Sequence, residues 1–165
     1  MKLLSRDDES SLIKGPVWEV SPSIILGGEA SVQFQIPRES SKQTILARAL
    51  ADMVFAKGDC WVEITYWHAD DDANQDLFYG YRLAHGDKRR LQEASLYNFS
   101  PDDVNEFVSI VSMVLYFSWD ARMVDAVQTC AINLSHDQLL DCAVQSSSFL
   151  EPFSARFSRL GMSTQ

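Results

Sequence analysis

Cysteine is scarce in this sequence of 165 residues, which contains only three and has no Cys-x-x-Cys pair. Zinc sites and thiol redox centres usually need paired cysteines at short spacing, so the sequence predicts neither. Cys60, Cys130 and Cys142 each have apolar neighbours. We therefore expect buried, reduced thiols in a cytoplasmic protein, where a free cysteine behaves as a small hydrophobic side chain.

Positive charge is also scarce, since 14 Lys and Arg residues stand against 23 Asp and Glu residues and give a net charge of -9. A surface of this sign repels phosphate backbones and anionic lipid headgroups, so the composition disfavours direct binding of nucleic acid or a membrane. The composition favours a basic protein as the partner. No cofactor is predicted, and the oligomeric state stays open.

Long apolar runs are missing too. No run approaches the 18 residues typical of a membrane-spanning helix, and the leucines near the start are too few for the core of a signal peptide. Apolar residues still make up 46 % of the chain, which is enough for a hydrophobic core. We expect one domain over residues 12–165, preceded by a frayed polar tail at residues 1–11.

The apolar periodicity predicts an α+β fold with a mostly antiparallel sheet, because the predicted strands are clustered instead of alternating with helices. Strand-like patterns occur at residues 17–20, 24–26, 32–36, 61–67, 77–83, 113–117, 121–127, 130–134 and 139–144. Helical spacing and N-terminal capping residues predict two main helices, one starting at Ser40 or Ser41 and one at Ser100-Pro101. A third helix is expected to dock at about 149–160, where phenylalanines recur at helical spacing.

A histidine and four aspartates follow the predicted strand at 61–67, namely His68, Asp70, Asp71, Asp72 and Asp76. Hard divalent cations prefer several carboxylate oxygens that converge on one point, so His68, Asp70 and Asp72 are candidate metal ligands. The segment lacks the central glycine and distal glutamate of a calcium-binding loop. A solvated acidic loop is therefore the favoured interpretation.

Two tryptophans precede the acidic segment. Strand alternation would place Trp61, Glu63 and Trp67 on one face, where aromatic rings rimmed by negative charge suit contact with a basic partner. The competing interpretation is that this face is the second buried side of a central strand.

The tripeptide Ser135-His136-Asp137 contains the residue types of a catalytic triad, but triad members converge from separate places and consecutive residues project apart. A turn is the favoured interpretation. A pair of His136 and Asp120 from two neighbouring turns is geometrically possible, and such a pair would be either an acid/base couple or, as we favour, a structural hydrogen bond. The basic cluster Lys88-Arg89-Arg90 is short and is expected to be solvated at the surface.

These observations favour a non-enzymatic, acidic protein-binding module that covers a basic surface, such as an immunity-type inhibitor of a bacterial toxin or nuclease, or a dedicated chaperone. The predicted partner-binding residues are Trp61, Glu63, Trp67, Asp70, Asp71, Asp72 and Asp76. The alternative is a metal-dependent hydrolase that uses His68 and Asp70 to Asp72, with His136 and Asp120 as further groups.

Overall fold

A seven-stranded sheet organises the computed structural model, which describes residues 2–3, 30–67, 72–90 and 96–164. Every strand pairing in it is antiparallel, and the order across the sheet is β1-β4-β3-β5-β6-β7-β2. The strands are β1 (Lys2–Leu3), β2 (Ala30–Gln35), β3 (Cys60–Tyr66), β4 (Leu96–Phe99), β5 (Asp120–Asp125), β6 (Cys130–Ser135) and β7 (Leu139–Val144). The predicted α+β class with an antiparallel sheet is confirmed.

Helices cover one face of this sheet. Those of the described residues are α1 (Ser40–Val54), α2 (Asp72–Ala84), α3 (Val104–Tyr116) and α4 (Ser147–Arg159), with short 3-10 turns at Phe55–Lys57 and Pro101–Asp103. The helix start predicted at Ser100-Pro101 is confirmed, because the Asp103 carboxylate accepts hydrogen bonds from the Ser100 backbone N–H (3.0 Å) and hydroxyl (2.7 Å). The predicted C-terminal helix is also confirmed as α4.

The hydrophobic core lies between the sheet and these helices. Cys60, Val62 and Ile64 project from one side of β3 into the core, together with Leu46 and Leu50 of α1. Full burial of a large apolar side chain stabilises the fold by about 1.5–3 kcal/mol. The core therefore fixes which side of each strand faces the helices.

The other face of the sheet is mostly polar along its middle. Neighbouring strands align a row of half-buried polar residues: Glu63, Arg122, Asn133, Asp141 and Gln33. The Gln33 side-chain amide donates a hydrogen bond of 2.7 Å to the Asp141 carboxylate. Trp61 lies beside this row, half-buried on the same face as Glu63. The strands are thus apolar towards the helices and mainly polar on the opposite side.

A bulge interrupts β3 near its end. Ile64 pairs with Ala121, but the next paired residue is Tyr66, opposite Asp120, so Thr65 is the extra residue. An extra residue reverses the faces of the side chains that follow. Trp67 accordingly turns to the helical side and packs against Trp119, with ring centroids 4.7 Å apart. The expectation that Trp61 and Trp67 share a face is wrong for this reason.

Two segments predicted as strands are helical. The aromatic-rich residues 77–83 belong to α2, and the apolar residues 113–117 continue α3 to Tyr116. Residues such as Val, Tyr and Phe favour strands in isolation, but the side of a helix that packs on a core also selects them. The strands predicted at 121–127, 130–134 and 139–144 are confirmed as β5, β6 and β7.

Some predicted features lie outside the described residues. These are the strands at 17–20 and 24–26 and most of the tail at 1–11. Within that tail, Lys2 and Leu3 form β1 and pair with Asn98 and Tyr97 of β4.

Candidate partner-binding surface

Helix α2 contains the end of the acidic segment, and it packs on the rest of the domain with two fully buried side chains and two half-buried tyrosines. Phe78 and Arg82 are its only fully buried residues, and their four-residue spacing places them on one side of the helix. The Phe78 ring packs against Trp67 (5.3 Å between ring centroids) and Trp119 (5.6 Å). Because the bulge at Thr65 directs Trp67 to this side, the apolar anchor of α2 depends on it.

Arg82 forms the polar anchor of α2 through a buried ion pair with Asp87. Its guanidinium bonds the Asp87 carboxylate through Nε (2.8 Å) and through Nη2, which also donates to the Arg89 carbonyl at 3.0 Å. The Arg82 and Asp87 side chains are 0 % and 3 % exposed. Burial raises the pKa of Asp87, but hydrogen bonds from Arg82 and Arg89 outweigh that effect and hold the pKa below its usual value.

The outward side of α2 combines acids with apolar side chains. Asp72 and Asp76 are both exposed and lie one helical turn apart. Leu77 and Leu83 are 59 % and 45 % exposed, and they are two of the six large apolar residues exposed in the described part of the chain. Exposed apolar side chains beside acids are more typical of a protein contact surface than of a helix that packs only within its own domain.

A surface cavity of about 430 Å³ borders the acidic edge of α2. It is lined by Asp72, Gln75, Asp76, Tyr79 and Arg90. The lining thus has two carboxylates, an aromatic ring with a hydroxyl, an amide and one guanidinium. The two carboxylates accept hydrogen bonds from a cationic partner group and form ion pairs with it, whereas the guanidinium only donates.

Gly80 lies in the middle of α2 on its exposed side. A Cβ added to Gly80 would meet no atom within 4 Å, and its φ lies outside the range that only glycine adopts readily. A glycine inside a helix costs about 1 kcal/mol relative to alanine. Neither the packing nor the backbone conformation explains this glycine.

The predicted partner-binding residues do not form one surface. Asp72 and Asp76 lie together on α2, whereas Trp61 and Glu63 lie on the opposite face of the sheet, and Trp67 packs against the core. His68, Asp70 and Asp71 lie outside the described residues. Of the predicted partner-binding residues, only Asp72 and Asp76 therefore lie together on α2.

Sequence reasoning missed the other residues of this surface because it assigned residues 77–83 to a strand. Gln75, Tyr79 and Arg90 line the cavity, and Arg89 contacts Asp87 with its backbone N–H and its Nε, both at 3.1 Å. The basic cluster at 88–90 is therefore not fully solvated, because Arg89 contacts the buried Asp87. The four-residue spacings of Asp72 with Asp76 and of Phe78 with Arg82 were the helical signal.

His136 and Asp120 are in direct contact, as their expected positions in neighbouring turns allowed. The Asp120 carboxylate oxygen Oδ1 lies 2.6 Å from the His136 backbone N and 2.8 Å from its ring Nδ1. The bulge also brings the Tyr66 ring to 5.2 Å from the imidazole. The hydrogen bond to Asp120 and its negative charge raise the pKa of His136. This arrangement joins the ends of β5 and β6 at the surface and supports the structural interpretation of the pair.

The described residues contain no group of three His, Cys, Asp or Glu side chains able to hold a metal ion, and the candidate ligands His68 and Asp70 lie outside them. Cys60, Cys130 and Cys142 are buried and free of disulfides. Burial and nearby Asp59 raise the pKa of the Cys60 thiol, which keeps it protonated near neutral pH.

Comparisons with protein families, with curated proteins and with solved structures found no match to this chain. Among the described helices, none has the length and apolar content needed to cross a bilayer.

The first prediction concerns the buried ion pair. Asp87→Asn should destabilise the protein by about 3–5 kcal/mol, because it leaves the Arg82 guanidinium buried without a charged partner. The loss is measured as the decrease in unfolding free energy by urea denaturation. Glu39→Gln removes the exposed partner of Lys42 and should leave the urea midpoint nearly unchanged. Equal effects of the two substitutions would contradict the role assigned to Asp87.

The second prediction concerns pH. Because contact with Asp120 raises the pKa of His136 in the folded state above the ordinary histidine value of 6.5, the stabilisation that this contact gives to the folded state is complete below about pH 6.5. It is lost as the pH rises through the folded-state pKa. The stability difference between the native protein and Asp120→Asn should therefore shrink as the pH rises from 6.5 through the folded-state pKa of His136, as measured by urea midpoints.

Asp120→Asn should also lower the pKa of His136 in an NMR titration. Asp137→Asn is the matched control, because the Asp137 carboxylate lies 3.9 Å from the other ring nitrogen. It should lower the pKa less. A His136 pKa that is the same in the native protein and in Asp120→Asn would show that the contact does not set the titration.

Proposed function

We propose that this protein is a non-enzymatic binding module that covers a basic surface on a partner protein. The exposed acidic edge of α2, with Asp72 and Asp76 beside the cavity lined by Tyr79 and Arg90, is the observation that carries the proposal. Two functions fit an exposed acidic surface best. One is immunity-type inhibition of a basic toxin or nuclease, and the other is chaperoning of such a protein.

The charge of the whole chain supports the same proposal. A net charge of -9 produces a long-range field that attracts a cationic surface and speeds its association. The carboxylates of Asp72 and Asp76 then offer short-range partners for lysine or arginine side chains. The same field disfavours nucleic acid as a direct ligand.

The site chemistry is also more compatible with binding than with catalysis. The three thiols are buried, and the His136–Asp120 pair sits on an exposed surface, with the histidine side chain 43 % exposed. Burial of Cys60, Cys130 and Cys142 as reduced thiols accords with our further proposal that the protein acts in the cytoplasm.

The third prediction tests the acidic edge with a basic protein co-purified from the source cells. Replacing Asp72 and Asp76 together by Asn should weaken binding about tenfold, because each lost ion pair contributes about 0.2–1 kcal/mol at a surface and more when desolvated. Affinity should also fall as salt concentration rises. Both effects are measured by isothermal titration calorimetry.

The matched control removes the same amount of charge elsewhere. Asp59→Asn with Glu151→Gln changes two exposed acids away from α2. This double variant should bind the partner nearly as well as the native protein. Equal weakening by both double variants would mean that net charge alone drives binding, and salt-insensitive binding would argue against an acidic contact surface.

The fourth prediction separates the binding proposal from metal-dependent hydrolysis. Thermal melts with Mg²⁺, Mn²⁺, Ca²⁺ or Zn²⁺ should coincide with the metal-free melt. A specific ion at a hundred times its dissociation constant would stabilise the fold by about 2.7 kcal/mol, which such a melt resolves easily. A saturable shift that is lost in Asp72→Asn would favour the hydrolase instead.

A further inference from the structure

An apolar seam runs along the outward side of α2. Ala73, Leu77, Gly80 and Ala84 follow one another at steps of four, three and four residues, and all four are exposed. These steps keep them within one narrow stripe of a helix, because 3.6 residues complete each turn. Spacing of this kind is typical of the contact line between two packed helices.

The seam also contains the glycine that the fold of this chain does not explain. Gly80 lowers helix stability, and there is open space where its Cβ would be. A residue without a side chain permits the backbone of another element to approach closely. Ala73 and Ala84 extend this shallow region along the helix, whereas Leu77 and the adjacent Leu83 supply apolar surface.

Acids border the seam on one side only. Asp72 and Asp76 each precede a seam residue by one position, so they lie along the edge that faces the cavity. In paired helices, charges beside the apolar seam select partners of opposite charge. The flanking positions of the partner should therefore be lysine or arginine.

We infer that the seam of α2 docks a basic amphipathic helix of the partner protein, with its closest approach at Gly80. This inference rests on the proposed function and specifies its contact. The partner helix places its apolar side on Ala73, Leu77, Gly80 and Ala84, while its cationic side chains reach Asp72 and Asp76. Charge complementarity and the three-four spacing both favour this occupant over a second copy of the acidic chain.

A synthetic helical peptide serves as the probe, with leucines at three-four spacing and lysines beside them. A scrambled peptide of the same composition has the same charge but no apolar side. The native protein should bind the amphipathic peptide at least about tenfold more tightly than the scrambled one in fluorescence anisotropy. Equal affinity for both would overturn the inference, because charge alone would then explain the binding.

Gly80→Leu tests the closest approach without weakening the helix. Leucine is a better helix former than glycine, so the melting temperature should stay the same or rise by about 2–4 °C. Affinity for the amphipathic peptide should nevertheless fall about tenfold or more. Ala155→Leu, at an exposed position on α4, is the matched control and should leave affinity unchanged.

The outcomes separate this inference from the proposed function. If Gly80→Leu binds the peptide and the co-purified partner like the native protein, while Asp72→Asn with Asp76→Asn weakens binding of the partner, the seam is wrong and the function stands. If neither change affects binding of the partner, both the inference about the seam and the proposed function fail. Sedimentation velocity could instead show that the native protein is a dimer and that Gly80→Leu is a monomer. That result would mean that the seam binds a second copy of this chain, and it would overturn the inference.

Discussion

The β-bulge at Thr65 determines how helix α2 packs on the rest of the domain. Because β3 contains one extra residue there, Tyr66 faces the polar side of the sheet and Trp67 faces the helices. Trp67 then packs against Trp119 and Phe78, which gives α2 its apolar anchor. With regular alternation, Trp67 would lie on the side of Glu63, and Phe78 would lose that contact. The position of α2 thus depends on a bulge in the strand that immediately precedes it in the chain.

A buried ion pair completes this attachment and adds specificity. The Arg82 guanidinium lies 6.0 Å from the centre of the Phe78 ring and 5.9 Å from that of Tyr97, and it is neutralised by Asp87. A buried cation requires a partner at a defined position, so few alternative placements of α2 satisfy it. Since only Phe78 and Arg82 are fully buried, the side of α2 opposite them stays exposed. A firmly placed but shallowly packed helix is well suited to present charge to another protein.

Charge and aromatic groups are divided between the two faces of the sheet. Trp61, Glu63 and the polar row that ends at Gln33 belong to the face without α2, while Asp72 and Asp76 belong to the helical side. A contact surface built from all of them would need a partner that reaches around the sheet edge. The compact alternative is α2 itself, where acids, exposed leucines and Gly80 occur within 13 residues.

Local pattern alone determined the fold class, the strands β5 to β7, the capped start at Ser100 and the C-terminal helix, because each depends on periodicity or capping within a few residues. It also indicated the contact between His136 and Asp120. It did not determine the helical state of residues 77–83 or 113–117, since short aromatic and β-branched runs fit both a strand and a buried helix. Only tertiary structure decided these elements, the bulge at Thr65 and the partner of Arg82. Each of them depends on which other segment covers a side chain, and that information lies in the packing between elements and not in the local pattern.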